Sequence, residues 1–252
     1  MSRNPRPTGP LERLGEAEYD ELRARTRDLV RQITGRLAAN PTLGGPDPAA
    51  KPGDVDDERE HRSTRLRRVH AGQLTDALLA EVSAECAAQD AADAVWLGAS
   101  LADLGSSTGN SRQAARKRWP DLGLIYRTRR WLAGHDQDLI TVIRQVLEHS
   151  PEIGAAPGSA DALDRAVPAL REALDRVRAD LDSGTVVTPE TGRPARWPHL
   201  ADAVDRHLRA VVELGVPATP GAALAFEGAR GVLAHYDSVT AEPATSGAAV
   251  GD

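Results

Sequence analysis

An all-α protein is what this sequence predicts: a three-helix unit built round a short turn, additional C-terminal helices, and disordered termini. Three observations lead there. Apolar residues make up 40% of the chain but aromatics only 3%, so a core must be assembled from leucine, valine and alanine. Alanine and leucine are strong helix formers, and β-branched runs are few. The apolar positions recur at intervals of three and four, as on one face of a helix, instead of alternating as in a half-buried strand. Proline- and glycine-rich stretches separate the periodic segments. With 252 residues, the chain can enclose one sizeable core or two small ones.

Residues 1–10 are polar and proline-rich, a composition that favours disorder. In residues 11–37, Leu22, Thr26, Leu29, Val30, Ile33 and Leu37 lie on one face, so an amphipathic helix is expected to pack on a neighbour. Residues 40–58 hold Pro41, Pro46, Pro48 and Pro52 and an acidic patch at 54–58, which reads as a linker. Residues 59–96 read as one long helix, or as two broken at Gly72, with Leu66, Val69, Leu74, Leu78, Val82, Cys86 and Val95 among the apolar positions. Cys86 is the only cysteine, which excludes an intrachain disulfide, and among alanines it reads as a buried thiol. Leu97-Gly98-Ala99 ends this segment.

Residues 100–119 predict two short helices joined by a tight turn. Ser100 can cap the first helix, with Asp103 in its first turn and Leu101 and Leu104 on one face. Gly105 removes a side chain where a neighbouring helix must come close, and Gly109 suits the positive φ of a helix-ending turn. Ser111 can cap the second helix. There Ala115 and Trp119 share an inward face, while Arg112, Gln113, Arg116 and Lys117 point outward. Arginine can bond guanine bidentately, glutamine can do so with adenine, and lysine holds phosphate. The stretch Gly105-Ser-Ser-Thr-Gly109-Asn-Ser111 is glycine-rich, but it lacks the lysine and the preceding strand of a nucleotide phosphate loop.

On these residues the segment resembles the helix-turn-helix of bacterial DNA-binding proteins. The string Ser111-Arg112-Gln113-Ala114-Ala115 is similar to recognition-helix starts in actinobacterial regulators. Ala102, Leu104, Gly105, Gly109, Ser111 and Ala115 supply the small, apolar, small, turn, cap and core residues of that motif. Thr108 and Asn110 depart from it, being polar where it is usually apolar.

After Pro120 stops the second helix, residues 122–131 mix apolar side chains with Arg127, Arg129 and Arg130. Tyr126 and Trp131 read as closing a small core, with stacking on a sugar as the other use. A helix is expected over 136–149, with Leu139, Ile140, Ile143, Val146 and Leu147 as its stripe, and a second linker at 154–159. Leu163, Val167, Leu170, Leu174, Val177 and Leu181 then form a heptad seam, read either as a bundle helix or as a homodimer coiled coil, with Pro168 kinking or starting the helix. Residues 185–198 are a turn-rich connection. Two helices are expected over 199–214 and 221–236, followed by a disordered tail. The expected organisation is an N-terminal helix and linker at 1–58, a DNA-binding domain at 59–150, a C-terminal helical domain at 160–237 and a tail at 238–252.

Charge is polarised along the chain. Residues 104–135 carry a net +6 within a total of −6, and residues 59–72 carry +4. Such a distribution suits a face presented to a polyanion. His61, His70, His135, His149, His199, His207 and His235 show no metal-ligand spacing, and no nucleophile motif, dinucleotide fingerprint or paired-carboxylate constellation stands out. The expectation is therefore a cofactor-free, non-enzymatic protein. No apolar run reaches transmembrane length and the N-terminus lacks an apolar leader stretch, which predicts a cytoplasmic location without membrane contact.

The expected partner is double-stranded DNA. Ser111, Arg112, Gln113, Arg116 and Lys117 would enter the major groove. Arg118, Arg127, Arg129 and Arg130, with Arg65, Arg67 and Arg68 in support, would hold the backbone. The alternatives are a helical adaptor using the motif for protein contacts, or a non-specific nucleoid-associated protein.

Overall fold

The computed structural model describes residues 14–40 and 56–241, and these residues are mostly helical. The expectations for residues 1–10, for most of the linker and for the end of the tail lie outside the described residues. The chain divides into two compact units, residues 1–86 and 87–252.

The first unit holds α1 (Glu16–Ala39) and most of α2 (Asp56–Trp96). Glu16 and Glu18 sit in the first turn of α1 and Arg36 in its last, matching the helix dipole. The expected apolar stripe is not used as expected, since no residue of α1 is buried and Leu22 and Leu29 stand exposed. The buried positions of α2 in this unit are the small Ala71 and Thr75. Thr34 donates to the Thr75 hydroxyl (2.9 Å), which in turn donates to the carbonyl of Ala71 (2.8 Å). α2 runs unbroken through Gly72, and it already includes residues 56–58 of the expected linker. Cys86 is exposed, which corrects the buried-thiol reading. Among the described residues, burial on α2 is confined to Ala71 and Thr75 and to Ala91 and Val95, and Cys86 falls between the two pairs.

In the second unit the end of α2 is followed by α3 (Leu101–Ser107), α4 (Arg112–Arg118) and α5 (Leu122–Glu148). Ala91, Val95, Leu104, Ala115 and Leu122 form one small core among these four helices, with Leu101, Trp119 and Ile125 packed at its edge. α3 and α4 have seven residues each, too few to be helical alone, so this core is what holds them. α5 begins at Leu122, well before the helix expected over 136–149, and takes in the mixed stretch 122–131. Its 27 residues let it contribute to a second core as well.

That second core joins α5 to α6 (Ala160–Ser183), α7 (Arg196–Asp202), a π-helical turn (Ala203–Leu208), α8 (Arg209–Leu214) and α9 (Pro220–Thr240). Leu132, Leu139, Ile143, Leu170, Leu200, Leu208 and Phe226 lie at its centre. Trp131 is buried there, whereas Tyr126 is exposed and closes no core. α6 starts before Pro168 and carries it in its interior. Leu163, Leu170, Leu174 and Val177 of the heptad seam are buried in this chain's own core, with Val167 and Leu181 packed against it. Of the two readings of this seam the bundle helix is the one found, and the face that a homodimer through residues 163–181 would need is covered by the chain's own helices. The expected linker at 154–159 also differs. Ile153–Ala155 forms β1, antiparallel to β2 (Gly215–Pro217), with Gly154 opposite Val216. α9 extends to Thr240, into the segment expected as tail.

Among the described residues no helix is long and apolar enough to cross a membrane.

Candidate functional site

The site is built from the turn between α3 and α4. Ser100 and Asp103 form a reciprocal cap: the Ser100 hydroxyl accepts from the Asp103 N–H (3.2 Å), and the Asp103 carboxylate accepts from the Ser100 N–H (2.8 Å). The backbone N–H and the hydroxyl of Ser100 together hold the Asp103 carboxyl below the usual carboxylate range.

At the far end of α3 two glycines fix the approach of α4. A Cβ on Gly105 would lie 2.8 Å from the Asn110 carbonyl oxygen and 3.1 Å from the Arg112 nitrogen, so only glycine lets the start of α4 come this close. Gly109 has φ +68°, in the left-handed region. Thr108 and Asn110 replace apolar anchoring with hydrogen bonds. The Thr108 hydroxyl donates to the Leu104 carbonyl (2.9 Å), and the Asn110 side-chain amide donates to the Thr108 carbonyl (3.0 Å). Ser111 then caps α4 by accepting from the Ala114 N–H (3.2 Å).

α4 buries one residue, Ala115, which is 1% exposed. Trp119 at its end packs on the same small core, and the Arg118 guanidinium lies over the Trp119 ring, 4.9 Å from its centroid. Ser111, Arg112, Gln113, Arg116, Lys117 and Arg118 are exposed. Among the described residues no acid pairs with Arg112, Arg116 or Lys117, and Gln113 makes no side-chain hydrogen bond. The helix thus offers four cations and no acid on an open surface. Three of them, in its last turn, also complement its dipole.

The arginines of α5 separate into two kinds. Arg130 is exposed and unpartnered among the described residues. Arg127 donates through Nε to the Val239 carbonyl (3.1 Å) and through Nη2 to that of Ala241 (3.4 Å), at the end of α9. Arg129 donates through Nε to the Trp96 carbonyl (2.9 Å), the last residue of α2. These two guanidinium groups satisfy helix-end carbonyls that have no partner within their own helices. The expectation that Arg127 and Arg129 hold a phosphate backbone gives way to this internal role. Arg65, Arg67 and Arg68 are exposed on α2 in the first unit.

Histidine pairings escaped the reading of the sequence. His199 bonds Asp180 (2.6 Å), His207 bonds Asp202 (3.2 Å) and His149 bonds Glu152 (3.2 Å). Only the last two partners lie within one or two turns of their histidine. Each is a single imidazole on a single carboxylate, and no group of three or more metal-ligating side chains gathers among the described residues.

No family model, curated protein or solved structure matches this chain.

Proposed function

We propose that the chain binds double-stranded DNA, with α3 and α4 acting as a helix-turn-helix and α4 lying in the major groove, and that it serves as a transcriptional regulator in the cytoplasm. The observation that carries this reading is an open, unpaired Arg-Gln-Arg-Lys face on a short helix whose opposite side is pinned by Ala115 and whose entry is fixed by Gly105. Arg112 and Gln113, at the N-terminal end of α4, would read base edges, as recognition-helix starts do. Arg116 and Lys117 would extend that contact. Arg118 and Arg130 would hold phosphates, and Ser111 keeps a hydroxyl donor for one while it caps the helix. On this reading the chain acts by binding, without catalysis.

The test is selection of bound fragments from a random duplex pool, repeated with Arg112→Ala. Enrichment of a defined sequence is expected, and the variant should relax preference at one position by about 1–3 kcal/mol, the worth of a bidentate base contact. Enrichment of no sequence would move the reading to a non-specific DNA binder.

A second reading, a helical adaptor, is favoured by one observation: Leu66, Val69, Leu78 and Val82 are exposed apolar residues on α2. Absence of duplex binding at low salt would favour it.

A further inference from the structure

A cleft of about 300 Å³ opens in the second unit, between the start of α5 and the C-terminal helices. The ring of Trp96 and the side chains of Leu124, Ile125 and Ala201 form its apolar walls. Two hydroxyls also line it. Thr128 is 4% exposed and Tyr236 is 8% exposed, and neither side chain has a hydrogen-bond partner among the described residues.

Thr128 has an internal hydrogen-bond acceptor that it does not use. A helical threonine can return its proton to the carbonyl four residues back, as Thr26, Thr75 and Thr240 do in this chain. Thr128 leaves that acceptor and faces the cleft. The third polar group is Asp205, which sits at the rim in the π-helical turn, an irregularity that recurs at functional sites. Its carboxylate is held by Arg209 at 3.0 Å, and Arg209 is shared with Asp237 at 2.5 Å. Two carboxylates thus share one guanidinium at the rim. Arg127, bonded to carbonyls at the end of α9, keeps its charge but is not one of the lining side chains.

We propose that this cleft is a binding site for a small, neutral, mainly hydrocarbon molecule that carries a carbonyl or hydroxyl oxygen at one end. The apolar walls take the hydrocarbon body, and the oxygen accepts from Thr128 and Tyr236 together. Burial raises the pKa of Tyr236 to about 12, so its phenol remains a donor throughout the neutral range. A carboxylate of the same shape would meet no cation among the lining side chains, so the cost of stripping its water would go uncompensated. The volume lies at the small end of ligand pockets, which limits the occupant to a molecule of one or two rings. This site stands whether or not α4 binds DNA, because none of its residues belongs to α4.

Equilibrium dialysis of the full chain against 2-acetylnaphthalene and 2-naphthoate tests it, the two probes sharing rings and differing in charge. One saturable site for the ketone is expected, at least about tenfold tighter than for the acid. Thr128→Val, which keeps the shape, and Tyr236→Phe should each weaken the ketone about three- to tenfold with circular dichroism unchanged. Absence of saturable ketone binding would overturn the proposal. So would equal affinity for both probes, or unaltered binding by a folded Thr128→Val/Tyr236→Phe double variant.

Discussion

A methyl group at residue 105 would sit 2.8 Å from a backbone oxygen of the turn, and a carbonyl cannot swing aside as a flexible side-chain end can. Gly105→Ala is therefore expected to cost about 1–3 kcal/mol, as overpacking of a close contact does, and to lower the urea midpoint of unfolding. Ser111→Ala removes the acceptor for the Ala114 N–H and should cost about 1 kcal/mol in the same measurement. If Gly105→Ala proved neutral, α4 would not be seated by that contact. Titration adds a check at this scale. Burial, with Asp205 adding to it, raises Tyr236 to about 12, so the folded chain holds this proton more tightly than the unfolded one, where tyrosine titrates near 10. The stability this contributes is whole below about pH 10 and is lost as the pH rises through 12. Thermal midpoints of Tyr236→Phe should therefore fall less steeply than those of the native chain across that interval. Asp103, Glu152 and Asp237 have the opposite sign. Their hydrogen bonds hold the carboxyls low, and the stability they lend is lost as the pH falls below the usual carboxylate range.

Among the elements, α6 gives the sharpest expectation. Leu170 is fully buried in the chain's own core, so Leu170→Ala should cost about 2–5 kcal/mol, with a melting midpoint independent of protein concentration. A midpoint that rose with concentration would mean that the seam is shared between chains. This seam also illustrates what a sequence can carry. Its heptad spacing was plain, but the same spacing serves a bundle helix and a coiled coil, and only the packing partners differ. The caps at Ser100 and Ser111 and the turn at Gly109 were legible because each involves atoms within four residues. The roles of Arg127 and Arg129 were not, since their acceptors lie 112 and 33 residues away. Nor was the β1–β2 pair, whose strands of three residues carry no periodicity and whose register is set by the helices that bring them together. Thr108 and Asn110 looked like departures from the turn motif, and hydrogen bonding within the turn explains them. α5 runs through Gly134, whose helix penalty of about 1 kcal/mol is outweighed by burial of Trp131, Leu132 and Leu139 on either side of it.

For the molecule as a whole, a net −6 with +6 concentrated in residues 104–135 leaves −12 over the rest of the chain. A polyanion would be drawn to this basic segment and to the smaller one at 59–72, and repelled by the acidic remainder of the chain. Binding by that segment should release counterions, with log K falling linearly in log salt by about 0.9 for each phosphate neutralised. The most direct measurement is the affinity of the full chain for a mixed-sequence duplex across a salt series, for the native protein and for Arg112→Ala/Arg116→Ala. Steep salt dependence is expected for the native chain, with at least about a tenfold loss of affinity in the variant. Native-like binding by the variant, or no binding by either protein at low salt, would contradict the assignment of α4 as the DNA-reading helix.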